Sequence, residues 1–425
     1  MTTPTGWTEP AALALMLGCF GLLAVRRRWP IGLALVAAAW AGAAFAGDWL
    51  PARHLVEGAF SYLDPILVIA TAMIFMRLLA DGGALGAIGA SVERAFGDRP
   101  AVLLPILMLI VMFPGMITGS STASVLTTGT MAGSILVGLG LSRERAAAVV
   151  AMGGVLGMIA PPINIPAMII GTGIDLPYVG FGAPLALASF PLALALVYAL
   201  GWPVLGRKTP LGRSTAEPRL GIWRALASPL VAAILMAAPR VWPQAVPDPG
   251  LPLTFVVAAA VCVLLSPRFQ VWRALIRATE EALPVFGILA GVGAFIQVMT
   301  LTGARGWLVS VMFGAPPWTI VAAAAVGIPL FGAVSAFGSA SVLGVPFLLA
   351  MLGRNEVVTT AALSMLASLG DLMLPAALAA TLAAQAVGVA DRRRVLALCV
   401  LPALAVAAVA VVLLVFSTEI GRVLR

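Results

Sequence analysis

The sequence predicts an all-α protein that crosses a membrane many times and contains one helical unit twice, in opposite orientations. Membrane insertion is indicated by composition, because hydrophobic residues make up 61% of the 425 residues and charged residues only 10%. Soluble domains carry about 25% charged residues. The repeated unit is indicated by a set of motifs in the first half of the chain that returns in the second half.

Apolar segments bounded by charges or by Pro and Gly predict ten crossings. Most are about 20 residues long, the length that spans a hydrocarbon core of about 30 Å. The predicted spans are 9–25, 31–48, 60–80, 146–170, 181–203, 227–241, 251–266, 283–300, 357–387 and 395–416.

Two further apolar segments, 100–140 and 318–353, are interrupted near their middle by small polar residues. If the interruption is a turn, limbs such as 105–117 and 125–138 are about 20 Å long and cannot cross the membrane. We therefore expect two re-entrant helical hairpins.

The two hairpins are copies of each other at a constant spacing of 217 residues. The matching pairs are Phe96 with Phe313, Pro100 with Pro317, Gly115 with Gly332, and Thr122–Leu126 with Ser339–Leu343. Downstream, Pro161 matches Pro375 at a slightly shorter spacing. A pattern kept over such distances predicts a structural repeat.

The basic residues predict the orientation of the chain. When the chain is threaded through these spans and hairpins, 19 of the 25 basic residues fall on one side, which the positive-inside rule assigns to the cytoplasm. The polar loop 204–226 is then cytoplasmic, both termini lie outside, and the hairpins enter from opposite faces. This is an inverted-topology repeat, an architecture of secondary transporters with a midplane site at the repeat interface.

The repeat divides the chain into four parts. Residues 1–60 are predicted as N-terminal scaffold helices, and residues 204–282 as a cytoplasmic loop with linking scaffold helices. The first repeat, 61–203, comprises an arm helix (81–99), a hairpin (100–140) and a broken helix (146–170). The second, 283–425, comprises a hairpin (318–353) and a broken helix (357–387).

Hydroxyl side chains gather at both predicted turns and suggest cation sites. A hard cation such as Na⁺ is held by several oxygens, which hydroxyls and unwound backbone carbonyls supply without a buried carboxylate. Small residues also permit close helix packing, so a purely structural role stays open. The candidate cation ligands are Ser120, Thr122, Ser124, Gly157 and Pro161 in the first repeat, and Ser335, Ser339, Ser341 and Asp371 in the second.

Pro161 and Pro162 must interrupt their helix, because each proline removes a backbone donor and clashes with the preceding turn. Half-helix ends exposed by such a break can face an anionic substrate. The candidate substrate-binding residues are Ser121, Thr122, Asn164 and Ser339. Asn164 has an alternative role, since a side-chain amide inside a bundle can simply join two helices.

Asp371 lies near the middle of a predicted span, where a carboxylate costs about 2.5–3.5 kcal/mol on insertion scales. Residues placed there at such a cost are usually functional. Asp371 is therefore expected to be a cation ligand or a proton carrier, which makes H⁺ an alternative coupling ion. A structural partner for an arginine or for backbone amides is the remaining alternative.

Several motifs of the first repeat resemble a known family. Gly119–Ala123, Gly133–Ser134 and Gly157–Pro162 are similar in order and spacing to the large membrane subunit of the tripartite ATP-independent periplasmic (TRAP) transporters, within the ion-transporter superfamily. The resemblance extends over Glu57–Gly201. In the second repeat, Gly370–Pro375 departs from the usual Gly-x-x-Thr-Pro-Pro break by having one proline and an acid.

The resemblance implies an elevator-type, cation-coupled importer of small organic acids in a bacterial inner membrane. It also implies two partners, a small four-helix membrane subunit and a periplasmic solute-binding protein. A stand-alone carboxylate or anion symporter of the same superfamily, needing no binding protein, is the alternative within transport. A channel-like or scaffold protein that has lost coupling is the alternative outside it.

The sequence gives no support for enzyme activity or for binding of nucleotides or nucleic acid. The sequence contains no hydrolase, zinc-protease or nucleotide-binding motif, so neither enzyme activity nor an organic cofactor is expected. The net charge of +8 comes from basic residues scattered between apolar segments, which is a topology signal and not a nucleic-acid-binding face.

Overall fold

The computed structural model describes residues 7–206, 220–266 and 269–424, and all regular secondary structure in these ranges is helical. Seven of the described helices are long and apolar enough to cross a membrane. The expectation of an all-α, multi-pass membrane protein is confirmed. Much of the predicted cytoplasmic loop 204–226 lies outside the described residues.

Ten α-helices form the first half of the chain. They are α1 (Thr8–Gly21), α2 (Ile31–Phe45), α3 (Ala52–Phe60), α4 (Leu63–Asp81), α5 (Ala84–Phe96), α6 (Pro100–Thr118), α7 (Ser121–Gly138), α8 (Arg143–Ile159), α9 (Ile165–Thr172) and α10 (Gly182–Gly201). A π-helical turn, Leu22–Arg26, extends α1, and a 3₁₀ turn, Trp202–Val204, extends α10.

The second half continues the same plan. Its helices are α11 (Ile222–Val241), α12 (Gly250–Leu265), α13 (Val271–Leu301), α14 (Ala304–Phe313), α15 (Pro317–Gly332), α16 (Ala336–Ser339), α17 (Val345–Ala350), α18 (Glu356–Ser368), α19 (Leu378–Val387), α20 (Arg392–Val415) and α21 (Ser417–Val423). A π-helical turn, Ala340–Gly344, joins α16 to α17, and a 3₁₀ turn, Leu369–Leu372, follows α18.

The order of these helices repeats. In each half a long helix is followed by a short arm, two hairpin limbs, a helix broken in two, and a final long helix. Each arm starts after a glycine in the left-handed region, Gly83 (φ 82°) before α5 and Gly303 (φ 73°) before α14. A side chain at either position would be strained, which explains why both halves have glycine there.

The long helix of the second repeat corrects the predicted boundary. Helix α13 has 31 residues and begins at Val271, whereas the sequence predicted a span from 283. The charges at Glu280 and Glu281 ended the apolar segment but not the helix. Helices α3 and α4 together cover the corresponding length in the first repeat, with an interruption at Ser61–Tyr62.

The limbs of the first hairpin are longer than the sequence suggested. With 19 and 18 residues, α6 and α7 are about 28 and 27 Å long. The prediction that both limbs are too short to cross is wrong for α6, which is one of the seven helices of spanning length. Helix α6 begins at Pro100, since proline is tolerated in a first turn, and it continues through Pro105 and Pro114.

The two repeats interlock. The half-helix after each break packs against the other repeat, α9 against α18 and α19 against α7 and α8. The hairpins, broken helices and final helices therefore form one body, which we call the core unit. A second body, the scaffold, forms where α13 packs across α2, α3 and α4.

Glycines bring the scaffold helices into backbone contact. A Cβ atom built on Gly293 of α13 would lie 1.9 Å from the carbonyl oxygen of Gly58 in α3. A Cβ on Gly291 would lie 2.5 Å from the carbonyl oxygen of Gly32 in α2. Small residues at such crossings are typical of helix packing in lipid.

We predict that Gly293→Ala destabilises the protein, whereas Gly287→Ala on the same helix stabilises it. A Cβ on Gly287 meets nothing within 4 Å, and alanine is favoured over glycine in a helix by about 1 kcal/mol. At Gly293 the added Cβ would overpack against backbone, which typically costs about 1–3 kcal/mol and sometimes more, so the cost should exceed that gain. Thermal unfolding of both variants in one detergent measures the difference, and equal transition temperatures would contradict this account of the crossing.

Candidate functional site

A cavity of about 430 Å³ lies between the scaffold and the tips of both hairpins. Its scaffold wall includes Met73, Met76 and Arg77 of α4 and Glu281 of α13. The core-unit wall consists of residues at both hairpin turns and at both helix breaks. The structure therefore brings together segments that are far apart in the sequence. The predicted site residues that line the cavity are Ser120, Ser121, Thr122, Ser335 and Asp371.

Helix caps explain the position of the two tips. Helix α6 ends at Gly119 in the left-handed region (φ 64°), and Ser120 then accepts a hydrogen bond from the Ala123 amide at 3.3 Å, starting α7. In the second hairpin, Ser335 accepts from the Gly338 amide at 3.0 Å and starts α16. Both serines are N-caps, the position that such residues favour.

The same glycine contact holds each hairpin against its broken helix. A Cβ on Gly115 would lie 2.9 Å from the carbonyl carbon of Gly157, and a Cβ on Gly332 would lie 2.7 Å from Cα of Gly370. The residue after the second glycine of each pair, Met158 in one repeat and Asp371 in the other, lines the cavity. The repeat thus places a thioether and a carboxylate at equivalent positions.

Asp371 connects the two repeats. It lies in the 3₁₀ turn after α18, and its carboxylate accepts a hydrogen bond from the hydroxyl of Ser121 at the start of α7. The break of the second repeat is therefore tied to the hairpin tip of the first. The bond uses one carboxylate oxygen, and no hydrogen bond to the other is found in the described part of the chain, so that oxygen is left for a ligand or a proton.

Ser124 has a buried hydroxyl that needs a partner. Its side chain is fully buried, and its Oγ makes no hydrogen bond within the described residues. A Cβ on Gly115 would lie 2.5 Å from this oxygen, so the hydroxyl is next to the Gly115–Gly157 contact. Leaving a buried hydroxyl unpaired costs about 1–3 kcal/mol. A bound cation would satisfy this oxygen.

The hydroxyls of the second tip are bonded differently. Ser339 donates to the Ala336 carbonyl at 2.9 Å, and Ser341 donates to the Gly338 carbonyl at 2.8 Å. Both side chains are buried, and neither lines the cavity. Since the hydroxyl hydrogens are used within the helix, the oxygen lone pairs remain available to a cation.

Both polar atoms of the Asn164 side chain form hydrogen bonds within the protein. It follows the Pro161–Pro162 break, and its side-chain oxygen accepts from the Ala167 amide at 2.8 Å, which caps α9. Its amide nitrogen donates to the Ile159 carbonyl and to the Ser364 hydroxyl, both at 3.0 Å. The bond to α18 matches the alternative role as a link between helices. Neither Asn164 nor Pro161 lines the cavity.

Arg77 forms an ion-pair cluster on the scaffold wall. Its guanidinium contacts Asp81 within α4 at 3.0 Å and Glu281 of α13 at 2.8 Å. The cluster joins the long helices of the two repeats, which are scaffold elements. The cavity is therefore bounded by a fixed ion pair on one side and by hydroxyls and Asp371 on the other.

Several residues that form contacts at the first break or between distant helices were not predicted from the sequence. Tyr178 donates to the Pro162 carbonyl at 3.2 Å and accepts from the Asn164 amide at 3.0 Å, closing the first break. Glu281, Ser364 and Tyr62 also belong to this group. Their partners are far away in the sequence, so no local pattern could have identified them.

The fold is that of known membrane transporters. The crystal structure of the Alcanivorax borkumensis YdaH transporter matches with a TM-score of 0.62 at 17% identity, covering 87% of this chain and 89% of that one. The structure of Neisseria gonorrhoeae MtrF, described as illuminating a class of antimetabolite efflux pumps, matches with a TM-score of 0.56 at 14% identity. The match covers 88% of this chain and 85% of that one. At these identities the likeness concerns the fold alone.

The sequence identifies the family. Residues 16–420 match the family described as tripartite ATP-independent periplasmic transporter, DctM component, and the chain belongs to this family of membrane transporter components. The resemblance seen in the first repeat is thereby confirmed, and it extends over both repeats. Among curated protein sequences there is no match to the chain.

We predict that Ser124→Ala removes stabilisation by Na⁺. Without Na⁺ the variant should be as stable as the parent or more stable by about 1 kcal/mol, because a buried unpaired hydroxyl is gone. With Na⁺ the parent should gain stability that the variant does not, since ligand binding stabilises the folded state. Thermal unfolding in NaCl and in choline chloride measures both effects.

Ser189→Ala is the matched control for this prediction. Ser189 is equally buried, in α10, but its hydroxyl donates to the Leu185 carbonyl at 2.7 Å. Its removal should leave the response to Na⁺ unchanged. An undiminished response in Ser124→Ala would contradict a role of this hydroxyl in cation binding.

Proposed function

We propose that the chain is the permease subunit of a secondary-active, Na⁺-coupled importer of small organic acids in a bacterial inner membrane. One observation carries the proposal: the hydroxyl-rich tips of two inverted hairpins meet Asp371 at a single cavity. Sites of this kind lie at the repeat interface of secondary transporters, near the midplane of the membrane. Membership of a transporter family supports the same conclusion.

The charges around the cavity favour cation coupling. Arg77, Glu281 and Asp371 are the charged residues on its described lining, so two acids oppose one base. An anionic substrate entering this cavity adds like charge in a region of low dielectric, where repulsion is poorly screened. A bound Na⁺, or a proton on Asp371, offsets that repulsion. This balance supports the proposal that anion and cation are taken up together.

Two partners are proposed from the family. The family is described as one component of a tripartite system, so we propose a small four-helix membrane subunit and a periplasmic solute-binding protein as the other two. Delivery by a binding protein would place the acid at the outer side of the cavity. Uptake that proceeds fully without a binding protein would favour the stand-alone symporter instead.

We predict that a Na⁺ gradient drives accumulation of the organic acid in proteoliposomes and that Asp371→Asn removes it. The reconstitution contains the chain with its two partners. If Asp371 ligates Na⁺, the variant loses coupling because one anionic ligand is gone. If Asp371 carries a proton instead, parent uptake follows a pH gradient, and the variant exchanges substrate without accumulating it.

Measurements under separate Na⁺ and pH gradients distinguish these two roles. Asn has nearly the same volume as Asp, so insertion and folding should be preserved. A variant that accumulates substrate like the parent under both gradients would make Asp371 structural. Parent uptake that never exceeds equilibrium would indicate a channel and overturn the proposed function.

An elevator motion of the core unit against the scaffold is the proposed mechanism, and a hydrogen bond between the two bodies would have to break in it. Tyr62, between the scaffold helices α3 and α4, donates to the Ile169 carbonyl at 3.1 Å. Ile169 lies near the C-terminal end of α9 in the core unit. This bond stabilises the present arrangement relative to any arrangement in which α9 has moved.

We predict that Tyr62→Phe shifts the equilibrium away from this arrangement. Loss of one hydrogen bond of about 0.5–1.5 kcal/mol corresponds to a change of about two- to tenfold in the populations. Thr122→Cys in a background without Cys19, Cys262 and Cys399 reports the shift through labelling rates from each side of the membrane.

Tyr198→Phe provides the control for this experiment. The Tyr198 hydroxyl donates to the Ala101 carbonyl at 2.8 Å, and both residues lie within the core unit. Its removal should leave both labelling rates unchanged. Identical rates in Tyr62→Phe and the parent would contradict a moving interface at α9.

A further inference from the structure

The cavity has a few polar groups on each wall within a larger apolar lining, and this composition restricts the substrate. The scaffold contributes Met73, Met76 and Ile288, and the core unit contributes Leu126 and Phe337. These side chains face the same space as the hydroxyls of the tips and Asp371. Sites that bind small molecules are mostly apolar with a few polar groups that fix the orientation, and their volumes begin near 300 Å³.

Hydroxyl side chains make up six of the 23 residues that line the cavity, and part of their hydrogen-bonding capacity is already used. Thr118 donates to the Pro114 carbonyl at 2.7 Å, Thr127 donates to the Ala123 carbonyl, and Ser121 donates to Asp371. Ser120 and Ser335 accept the capping amides of their helices. Within the described residues, Thr122 is the lining hydroxyl without a hydrogen bond. A substrate with many hydroxyls would place several of them against the apolar side chains that form most of the lining, at a cost for each hydroxyl left unpaired.

The charge of the basic residue on the lining is already balanced by two carboxylates. The three guanidinium nitrogens of Arg77 all contact carboxylates, two at Asp81 and one at Glu281. A second carboxylate on the substrate would have to share Arg77 with Asp81 and Glu281 or lie without a basic partner. Both alternatives are unfavourable, because a buried charge needs a partner. The cavity thus favours one negative charge over two.

We propose that the substrate is a monocarboxylate with an apolar body, and not a dicarboxylate or a polyhydroxylated acid. The inference rests on the proposed function and specifies its substrate class. The carboxylate lies at the hairpin tips, near Thr122 and the coupling cation, and the apolar body contacts Met73, Met76 and Phe337. Specificity then comes from the burial of apolar surface.

The test compares six-carbon probes that differ in one property at a time. Hexanoate has one carboxylate and an apolar chain, gluconate adds hydroxyls, adipate adds a second carboxylate, and hexanamide removes the charge. Calorimetric titration of the full chain in lipid nanodiscs with NaCl gives the dissociation constants. Empty nanodiscs correct for partitioning of each probe into lipid.

Hexanoate should bind at least tenfold more tightly than gluconate, adipate or hexanamide. From butanoate to pentanoate to hexanoate, each added methylene should tighten binding by about fourfold, the factor expected for one buried CH₂ group. Leu126→Thr should weaken hexanoate binding several-fold. Leu330→Thr is the matched control, since both leucines are 64% exposed but Leu330 does not line the cavity.

Several results would overturn the inference. Binding that does not strengthen with chain length, equal effects of the two leucine substitutions, or no binding of any probe would each do so. Preferred, Na⁺-dependent binding of gluconate or adipate would overturn this substrate class while leaving the proposed import of organic acids intact. Equal binding of hexanamide and hexanoate would instead remove the organic-acid function itself.

Discussion

Each repeat contains a helix that stops inside the apolar part of the molecule, and the backbone groups freed there must find partners within the protein. At the first break, the Ile163 amide donates to the Met116 carbonyl of α6 at 3.1 Å. The Asn164 amide donates to the Tyr178 hydroxyl at 3.0 Å, and its side chain donates to the Ile159 carbonyl at 3.0 Å. The hydrogen bond from the break to α6 therefore also fixes the position of the first hairpin. The shape of the cavity depends on that position.

The two breaks have a common plan but different chemistry. Both contain a cis peptide bond, at Pro161–Pro162 and Leu374–Pro375. The first is closed by Asn164 and Tyr178, whereas the second has Leu374 62% exposed. The acid of the second break, Asp371, faces the first hairpin instead of its own. The first repeat thus supplies mainly structural polar groups at its break, and the second repeat supplies the negative charge of Asp371.

The sequence predicted the features that depend on backbone geometry. Glycines at close contacts and prolines at breaks have the same physical role in both repeats, so Gly115 with Gly332 revealed the repeat, and Pro161 revealed the break. Charge was a poorer indicator of helix ends, because α13 continues through Glu281 beyond its apolar segment. Contacts between distant segments, such as Ser121 with Asp371, have no local pattern and required the structure.

The π-helical turn at Ala340–Gly344 has a consequence for the symmetry of the two tips. Helix α7 is a regular α-helix, whereas the matching limb of the second hairpin contains this wider turn. Ser341 lies within the π turn and donates to the Gly338 carbonyl, whereas its sequence equivalent Ser124 lies in a regular helix and its hydroxyl has no partner in the described part of the chain. Two cation sites built from these residues would have different affinities, and the tighter site would fill first. Loading would then be ordered, with one tip occupied at low Na⁺ concentration and the other setting the threshold for transport.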